Sequence, residues 1–311
     1  MTLTRRTTRD LRIALGLVAA LLSVTLAACG SAAPASPDHG PSVVSAAVRT
    51  ARTTLGAVGY RVVGSGPPLV MIMGYAGTME VWDPPFVDAL ARHFRVVIFD
   101  NAGIGQTQAL PVPLTIDAMA DQTSALIDVL GLGRPDVLGW SMGGMIAQAL
   151  AVRHPAQVNR LVLCATFPGT GSAVVPSQAA VTALTSGNPG PYLFPADQGK
   201  AYQAFAAATS GYPASSPAPA AVVTAQKGAV LEWFAGNDPD GALTSTISAP
   251  TLIADGTVDR IDAIPNDHAL AQLIAGSRLV LYPDAGHAFL FQEERPFTAL
   301  IESFLTAPPA S

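Results

Sequence analysis

Short apolar runs alternate with helical patterns from about residue 43 to residue 305, and this alternation restricts the fold more than any other feature. The runs are rich in Val, Ile and Leu and are bounded by Gly, Pro or Asp, as buried strands are. Strands separated by helices favour an α/β fold with a mostly parallel, doubly wound sheet. The predicted strands cover residues 48–53, 58–63, 69–73, 95–100, 136–139, 160–165, 251–254 and 278–282.

Helical patterns fill most of the intervals between these strands, and the first two strands instead form a hairpin near Gly56. One helix begins directly after a strand, at Met142, and ends near His154-Pro155 because proline disfavours helix in the residue before it. The helices predicted in the sheet region cover residues 85–92, 116–130, 142–153, 266–274 and 296–305.

The segment 168–248 breaks the alternation. It contains nine prolines and no clear strand pattern, and helical patterns occur at 178–184, 198–209 and 220–234. A wholly unstructured loop of this length is uncommon inside a compact domain. We therefore predict a helical cap over residues 168–248, inserted into a core formed by residues 43–167 and 249–311.

Composition excludes several classes of protein. Half of the 311 residues are hydrophobic and 13% are charged, which excludes an intrinsically disordered chain. A formal net charge of -5 gives no basic footprint for nucleic acid. The two cysteines cannot build a zinc finger, and the five histidines lack metal-ligand spacing. We expect no metal and no nucleic-acid partner.

The N-terminus has the pattern of an export signal. Four arginines precede an uncharged run of 16 residues, Ile13–Ala28, which is shorter than the roughly 20 residues of a membrane span. The run ends in Leu26-Ala27-Ala28-Cys29, which resembles a bacterial lipobox. This resemblance implies a lipoprotein signal peptide over 1–28, a palmitate-bearing Cys29, a tether over 29–42 and a lipid-anchored protein on the extracytoplasmic face of the cell membrane. An ordinary signal peptide and an uncleaved anchor are the alternatives.

A G-x-S-x-G pattern occurs where one predicted strand ends and a helix begins, at Gly139-Trp140-Ser141-Met142-Gly143. A serine on such a sharp turn projects its hydroxyl outward, and small neighbours let the backbone pack closely. The helix N-terminus also leaves backbone N–H groups free to stabilise a negative oxygen. The alternative is a chance glycine-rich turn, but the strand–turn–helix context favours a nucleophile at Ser141.

With this pattern, three further segments resemble the α/β-hydrolase superfamily. Met73–Gly77 is similar to its oxyanion segment, and Asp100–Thr107 is similar to its D-x-R-G-x-G-x-S loop. Gly256–Asp259 and Asp284–His287 resemble the segments that carry acid and base. The resemblance implies the α/β-hydrolase fold, a triad in the order Ser, Asp, His, and no cofactor. Met73 and Ala102 depart from it, because they replace the usual histidine and arginine.

The resemblance implies a role for each candidate residue. Ser141 would be the nucleophile, His287 the general base and Asp259 the acid, and the backbone N–H groups of Tyr75 and Met142 would form the oxyanion hole. Two neighbouring aspartates compete for the acid role, at positions Asp255 and Asp262.

These roles predict a serine hydrolase, with a small-molecule carboxylic ester or acyl compound as substrate and the membrane as its anchor site. Two alternatives are a cofactor-free perhydrolase of the haloperoxidase type and a non-catalytic binding lipoprotein on the same scaffold.

Overall fold

The computed structural model describes residues 42–185 and 189–308. Their strands form one eight-stranded sheet in the order β1-β2-β4-β3-β5-β6-β7-β8. Strands β1 and β2 form an antiparallel hairpin, and β2 also pairs antiparallel with β4. All other neighbours are parallel. The strands are β1 Arg49–Thr53, β2 Gly56–Val63, β3 Pro68–Ile72, β4 Arg95–Phe99, β5 Asp136–Trp140, β6 Leu161–Cys164, β7 Thr251–Gly256 and β8 Arg278–Tyr282.

The predicted α/β class is confirmed, since every predicted strand and helix of the sheet region is present to within two residues at each end. The short helices α5 and α9 were not predicted, because one turn is too short to show a 3.6-residue period. The helices are α1 Pro84–Leu90, α2 Ile116–Val129, α3 Met142–Arg153, α4 Gln178–Thr185, α5 Gly190–Leu193, α6 Gly199–Thr209, α7 Ala220–Phe234, α8 Ile264–Leu273, α9 Phe289–Gln292 and α10 Glu294–Leu305.

The sheet is covered on both faces, because successive side chains of a strand point to opposite sides. In β3, Val70 belongs to the core shared with α2 and α3, whereas Leu69 belongs to the core shared with α1 and α10. All five residues of β5 are buried. Burial on both faces is why these strands are near-continuous hydrophobic runs.

Between β6 and β7 the described residues form helices α4 to α7 and no strand. Helices α4 and α7 contribute Leu184 and Val230 to a cavity beside Ser141. This segment is therefore adjacent to the carboxyl ends of the parallel strands, the edge at which ligands bind in open α/β sheets.

No helix in the described ranges combines the length and apolar character needed to span a bilayer. The predicted signal peptide, Cys29 and all of the predicted tether except Ser42 lie outside the described residues.

Candidate active site

Ser141 occupies a strained turn between β5 and α3. Its φ of 57° and ψ of -123° are rare for a residue with a side chain. Close packing around the turn explains the flanking glycines: a Cβ on Gly139 would come within 2.3 Å of the Gly143 carbonyl oxygen, and one on Gly143 within 2.0 Å of the Ile72 oxygen. The nearby backbone therefore leaves no room for a side chain at these two positions, which explains the predicted need for small residues at this turn.

Two backbone N–H groups near Ser141 have no hydrogen-bond acceptor among the described residues. In the part of the chain that the structure describes, neither Tyr75 N–H nor Met142 N–H donates a hydrogen bond. Met142 is the first residue of α3, where unpaired N–H groups carry the positive end of the helix dipole. A Cβ on Gly74 would lie 3.2 Å from Ser141 Cβ, so the loop carrying Tyr75 lies against the serine.

The structure brings Asp259 and His287 together. Asp259 Oδ2 lies 2.6 Å from His287 Nδ1, and the side chains are 0% and 2% exposed. The second carboxylate oxygen of Asp259 accepts N–H bonds from Ile261 and Asp262, at 2.6 and 2.9 Å. Asp259 is therefore fixed by its own loop and can orient the imidazole.

His287 lines one cavity together with Ser141. Within residues 42–185 and 189–308 the Ser141 hydroxyl makes no hydrogen bond. Hydrogen bonds between catalytic groups are commonly long or poorly aligned before substrate binds.

Neither competing aspartate contacts His287. Asp255 Oδ1 accepts the Gly256 N–H at 2.7 Å, and Asp262 Oδ1 accepts from Asn266 Nδ2 at 2.7 Å. Together with Asp267 they form a buried cluster, hereafter the carboxyl cluster, in which one oxygen of each lies within 4.8 Å of the others. All three residues are 0% exposed.

The carboxyl cluster lies in surroundings that favour protonation. Burial, and then the charge of Asp259, raises the pKa of Asp267 to about 7. Burial likewise raises the pKa values of Asp255 and Asp262 well above their usual range, with smaller contributions from the neighbouring carboxylates. Three carboxylates could be neutralised by a cation such as Ca²⁺ or by protonation, which their raised pKa values favour.

The Met73–Gly77 loop is held at both ends by amide side chains. Asn101 Nδ2 donates to the Met73 carbonyl oxygen at 2.8 Å, and Ala76 N–H donates to Gln226 Oε1 at 2.8 Å. Tyr75 Oη also donates to the Val223 carbonyl oxygen, at 3.1 Å. Although the apolar residues at positions 73 and 102 cannot supply side-chain hydrogen bonds, the loop is anchored by other residues.

Two cavities meet at Ser141. The first has an apolar lining that includes Met145, Phe167 and Phe234. The second is lined by His287 and Trp140. Tyr75 and Leu184 also line both cavities.

Cys164 lies in β6 and is fully buried. Burial raises the pKa of its thiol well above the usual value, so the thiolate is disfavoured. Cys164 is therefore a core residue and not a second nucleophile.

Three features together define an α/β hydrolase. They are the mostly parallel sheet, the strained serine between a strand and a helix, and the carboxylate–histidine pair at the carboxyl edge of the sheet. A family model described as the alpha/beta hydrolase fold matches residues 67–294. The chain belongs to this family.

The chain is also similar to hydrolases of known kind. A 2-hydroxy-6-oxo-2,4-heptadienoate hydrolase from Pseudomonas putida is 28% identical over 255 residues, covering 79% of this chain and 91% of the relative. A thermophilic esterase from Thermogutta terrifontis has a TM-score of 0.64 at 25% identity and covers 84% of this chain and 98% of its own. An α/β-hydrolase fold protein from Chitinophaga pinensis has a TM-score of 0.75 at 24% identity, covering 86% of this chain and 100% of its own. These similarities support a hydrolase.

Four contributors to the site carry no local sequence signal. Asn101, Gln226 and the Trp140 indole act through partners 28, 150 and 147 positions away, whereas Asp267 acts through the nearby Asp255 and Asp262. Asn101 lies in the Asp100–Thr107 loop and Trp140 in the Gly139–Gly143 turn, but neither motif indicates which distant backbone group its side chain would bind.

Proposed function

We propose that this chain is a serine hydrolase that cleaves carboxylic esters through an acyl-enzyme, with Ser141, His287 and Asp259 as the catalytic triad. The observation that carries the proposal is the buried Asp259–His287 contact of 2.6 Å, together with a cavity that both His287 and Ser141 line. A carboxylate on Nδ1 leaves Nε2 of the imidazole free to take a proton.

The reaction would proceed in two halves. Ser141 Oγ attacks the ester carbonyl carbon and transfers its proton to His287, and the carbonyl oxygen becomes an oxyanion. The N–H groups of Tyr75 and Met142, which have no acceptor among the described residues, would stabilise that charge. Collapse breaks the bond to the leaving alcohol, which takes the proton from His287. Water, deprotonated by His287, then attacks the acyl carbon; the bond to Ser141 Oγ breaks, Ser141 takes the proton back from His287, and the acid is released.

We propose that the two parts of the substrate occupy different cavities. Because His287 must protonate the leaving alcohol, that group would lie in the cavity that His287 lines. The acyl group would then enter the other cavity, where Met145, Phe167 and Phe234 favour an apolar chain. The proposed substrate is therefore an ester with an apolar acyl group.

Location is part of the proposal. We propose that residues 1–28 are removed as a lipoprotein signal peptide and that Cys29 carries the lipid, on the extracytoplasmic side of the membrane. The support for this step is the Leu26-Ala27-Ala28-Cys29 pattern at the end of an uncharged run of 16 residues.

A fluorophosphonate probe tests the enzyme class. Wild type should be labelled at Ser141, and Ser141→Ala should be unlabelled although still folded. Absence of labelling, or labelling elsewhere in an active wild type, contradicts the proposal. Measuring peracid formation from acetate and peroxide beside ester hydrolysis separates a perhydrolase from an esterase.

A further inference from the structure

We propose that helix α7 sets the geometry of the oxyanion hole, with Gln226 as the positioning residue. The inference rests on the serine-hydrolase function proposed above. It assigns a role in the reaction to a residue of the segment between β6 and β7, which supplies no member of the triad.

Two hydrogen bonds join the Met73–Gly77 loop, which carries the Tyr75 N–H, to successive turns of α7. Gln226 Oε1 accepts the N–H of Ala76 at 2.8 Å. Val223, three residues earlier on the helix, accepts the phenolic O–H of Tyr75 at 3.1 Å through its carbonyl oxygen. Two consecutive loop residues are thus fixed to one rigid element, and one of them is Tyr75, whose own N–H is the proposed oxyanion donor.

The bond to Ala76 is the one polar contact of the Gln226 side chain among the described residues. Gln226 is 0% exposed, and its Nε2 atom has no hydrogen-bond partner among those residues. A buried amide that leaves one polar group unpaired is destabilising. An apolar side chain would avoid that cost, so the bond to Ala76 is the contribution that a glutamine makes here.

The loop needs such a contact because its backbone is strained. Ala76 has a φ of 56°, in the left-handed region that disfavours residues with a Cβ. The peptide plane that carries Ala76 N–H adjoins Tyr75, so fixing that plane and the Tyr75 ring restricts the direction of the Tyr75 N–H. Misplacing a catalytic group by about 1 Å can cost about 100-fold in rate.

Helix α7 also lines the apolar cavity, through Val230 and Phe234. An acyl chain bound there would contact the same helix that holds the oxyanion loop. Filling the cavity and positioning the Tyr75 donor are therefore coupled through α7.

Kinetics of Gln226 variants test the inference. Gln226→Met removes the acceptor and keeps similar length and helix propensity, and we expect kcat to fall about 10–100-fold with KM within about threefold. Affinity for a boronic acid, which forms a tetrahedral adduct on serine, should fall by a similar factor. Gln226→Glu keeps an acceptor oxygen and should stay within about fivefold of wild-type kcat. The control, Thr224→Ala on the exposed side of α7, should stay within about twofold.

Tyr75→Phe gives a second, milder variant if Gln226→Met does not fold. It removes the bond to Val223 and keeps the ring, and we expect kcat to fall about 3–10-fold. The inference is overturned if Gln226→Met, or Tyr75→Phe in its place, keeps kcat within twofold. It is equally overturned if Gln226→Glu is as impaired as Gln226→Met. Fluorophosphonate labelling of wild-type Ser141 separates these outcomes from failure of the proposed function, which would abolish labelling in wild type.

Discussion

The indole N–H of Trp140 donates a hydrogen bond to the backbone carbonyl oxygen of His287, at 2.9 Å. The ring centroids of the two residues are 5.7 Å apart. The residue before the proposed nucleophile therefore holds the loop that carries the proposed base, although 147 positions separate them in sequence. This bond links the two halves of the candidate site.

Trp140→Phe tests that link. It leaves a buried carbonyl oxygen without its donor, which should lower the free energy of unfolding by about 1–3 kcal/mol and lower kcat about tenfold by loosening His287. Trp82→Phe is a matched control, since the ring centroids of Trp82 and Trp140 are 6.1 Å apart in one aromatic cluster. The indole N–H of Trp82 has no hydrogen-bond partner in the described chain. Urea unfolding and steady-state kinetics measure both effects. Equal kcat values for the two variants would show that the hydrogen bond does not position the base.

Three neighbouring aspartates allow a sharp test of the triad. Ser141→Ala and His287→Ala should each lower kcat by about 10⁴–10⁶, and the double variant little further, because the residues act as a unit. Asp259→Asn should cost about 10⁴, by disturbing the histidine tautomer.

The other two aspartates are the controls for Asp259. Asp255→Asn and Asp262→Asn should stay within about tenfold of wild type, because neither contacts His287. Full activity in Asp259→Asn together with collapse in Asp255→Asn would move the acid to the end of β7. If all three aspartate variants stay active while Ser141→Ala does not, the Ser-His-Asp mechanism is wrong.

Features that depend on local sequence, or that the family resemblance implies, were predicted, and the other hydrogen bonds between distant segments were not. The Gly139–Gly143 turn and the strands beside it follow from periodicity and from glycines that meet nearby backbone. The bonds from Gln226 to Ala76 and from Trp140 to His287 span 150 and 147 positions. An isolated glutamine in a helical pattern gives no sign that its partner is a loop beside another strand.

The two-cavity assignment predicts a change in acyl preference. Val230→Phe should narrow the apolar cavity and lower kcat/KM for a hexanoyl ester at least tenfold relative to an acetyl ester of the same alcohol. Val81→Phe is the control in the cavity lined by His287 and should change preference for the alcohol instead. Matched p-nitrophenyl and alkyl ester series measure both. A reversed result, with Val81→Phe setting acyl preference, would reverse the proposed orientation of the substrate.

Membrane attachment depends on Cys29 in our proposal. Cys29→Ser should move the protein from the membrane fraction to an unprocessed or secreted form, because stable attachment requires the acyl chains, at about 0.8 kcal/mol per buried methylene. Fractionation and mass spectrometry of the N-terminal peptide measure this. A wholly soluble wild type with no lipid mass on Cys29 would contradict the anchor.

The carboxyl cluster predicts that the free energy of unfolding falls as pH rises. An aspartate has a pKa of about 3.9 in the unfolded chain, whereas that of Asp267 is raised to about 7 in the fold. The folded state therefore binds more protons between these values, and its stability is greatest below pH 4 for this group and is lost as pH rises through 7. The loss is on the order of a few kcal/mol and is shared among the interacting carboxyl groups.

Asp267→Asn should flatten this dependence, because a neutral amide cannot ionise. We expect the variant to gain stability relative to wild type at pH 8 and to gain little at pH 4.5, with urea unfolding at each pH as the measurement. Asp197→Asn, on an exposed residue, should leave the slope unchanged. Adding Ca²⁺ distinguishes proton neutralisation from cation binding, since a cation site would make wild type more stable at pH 8 with Ca²⁺ and would remove the advantage of Asp267→Asn. Parallel pH profiles for Asp267→Asn and wild type would show that Asp267 does not hold the proton.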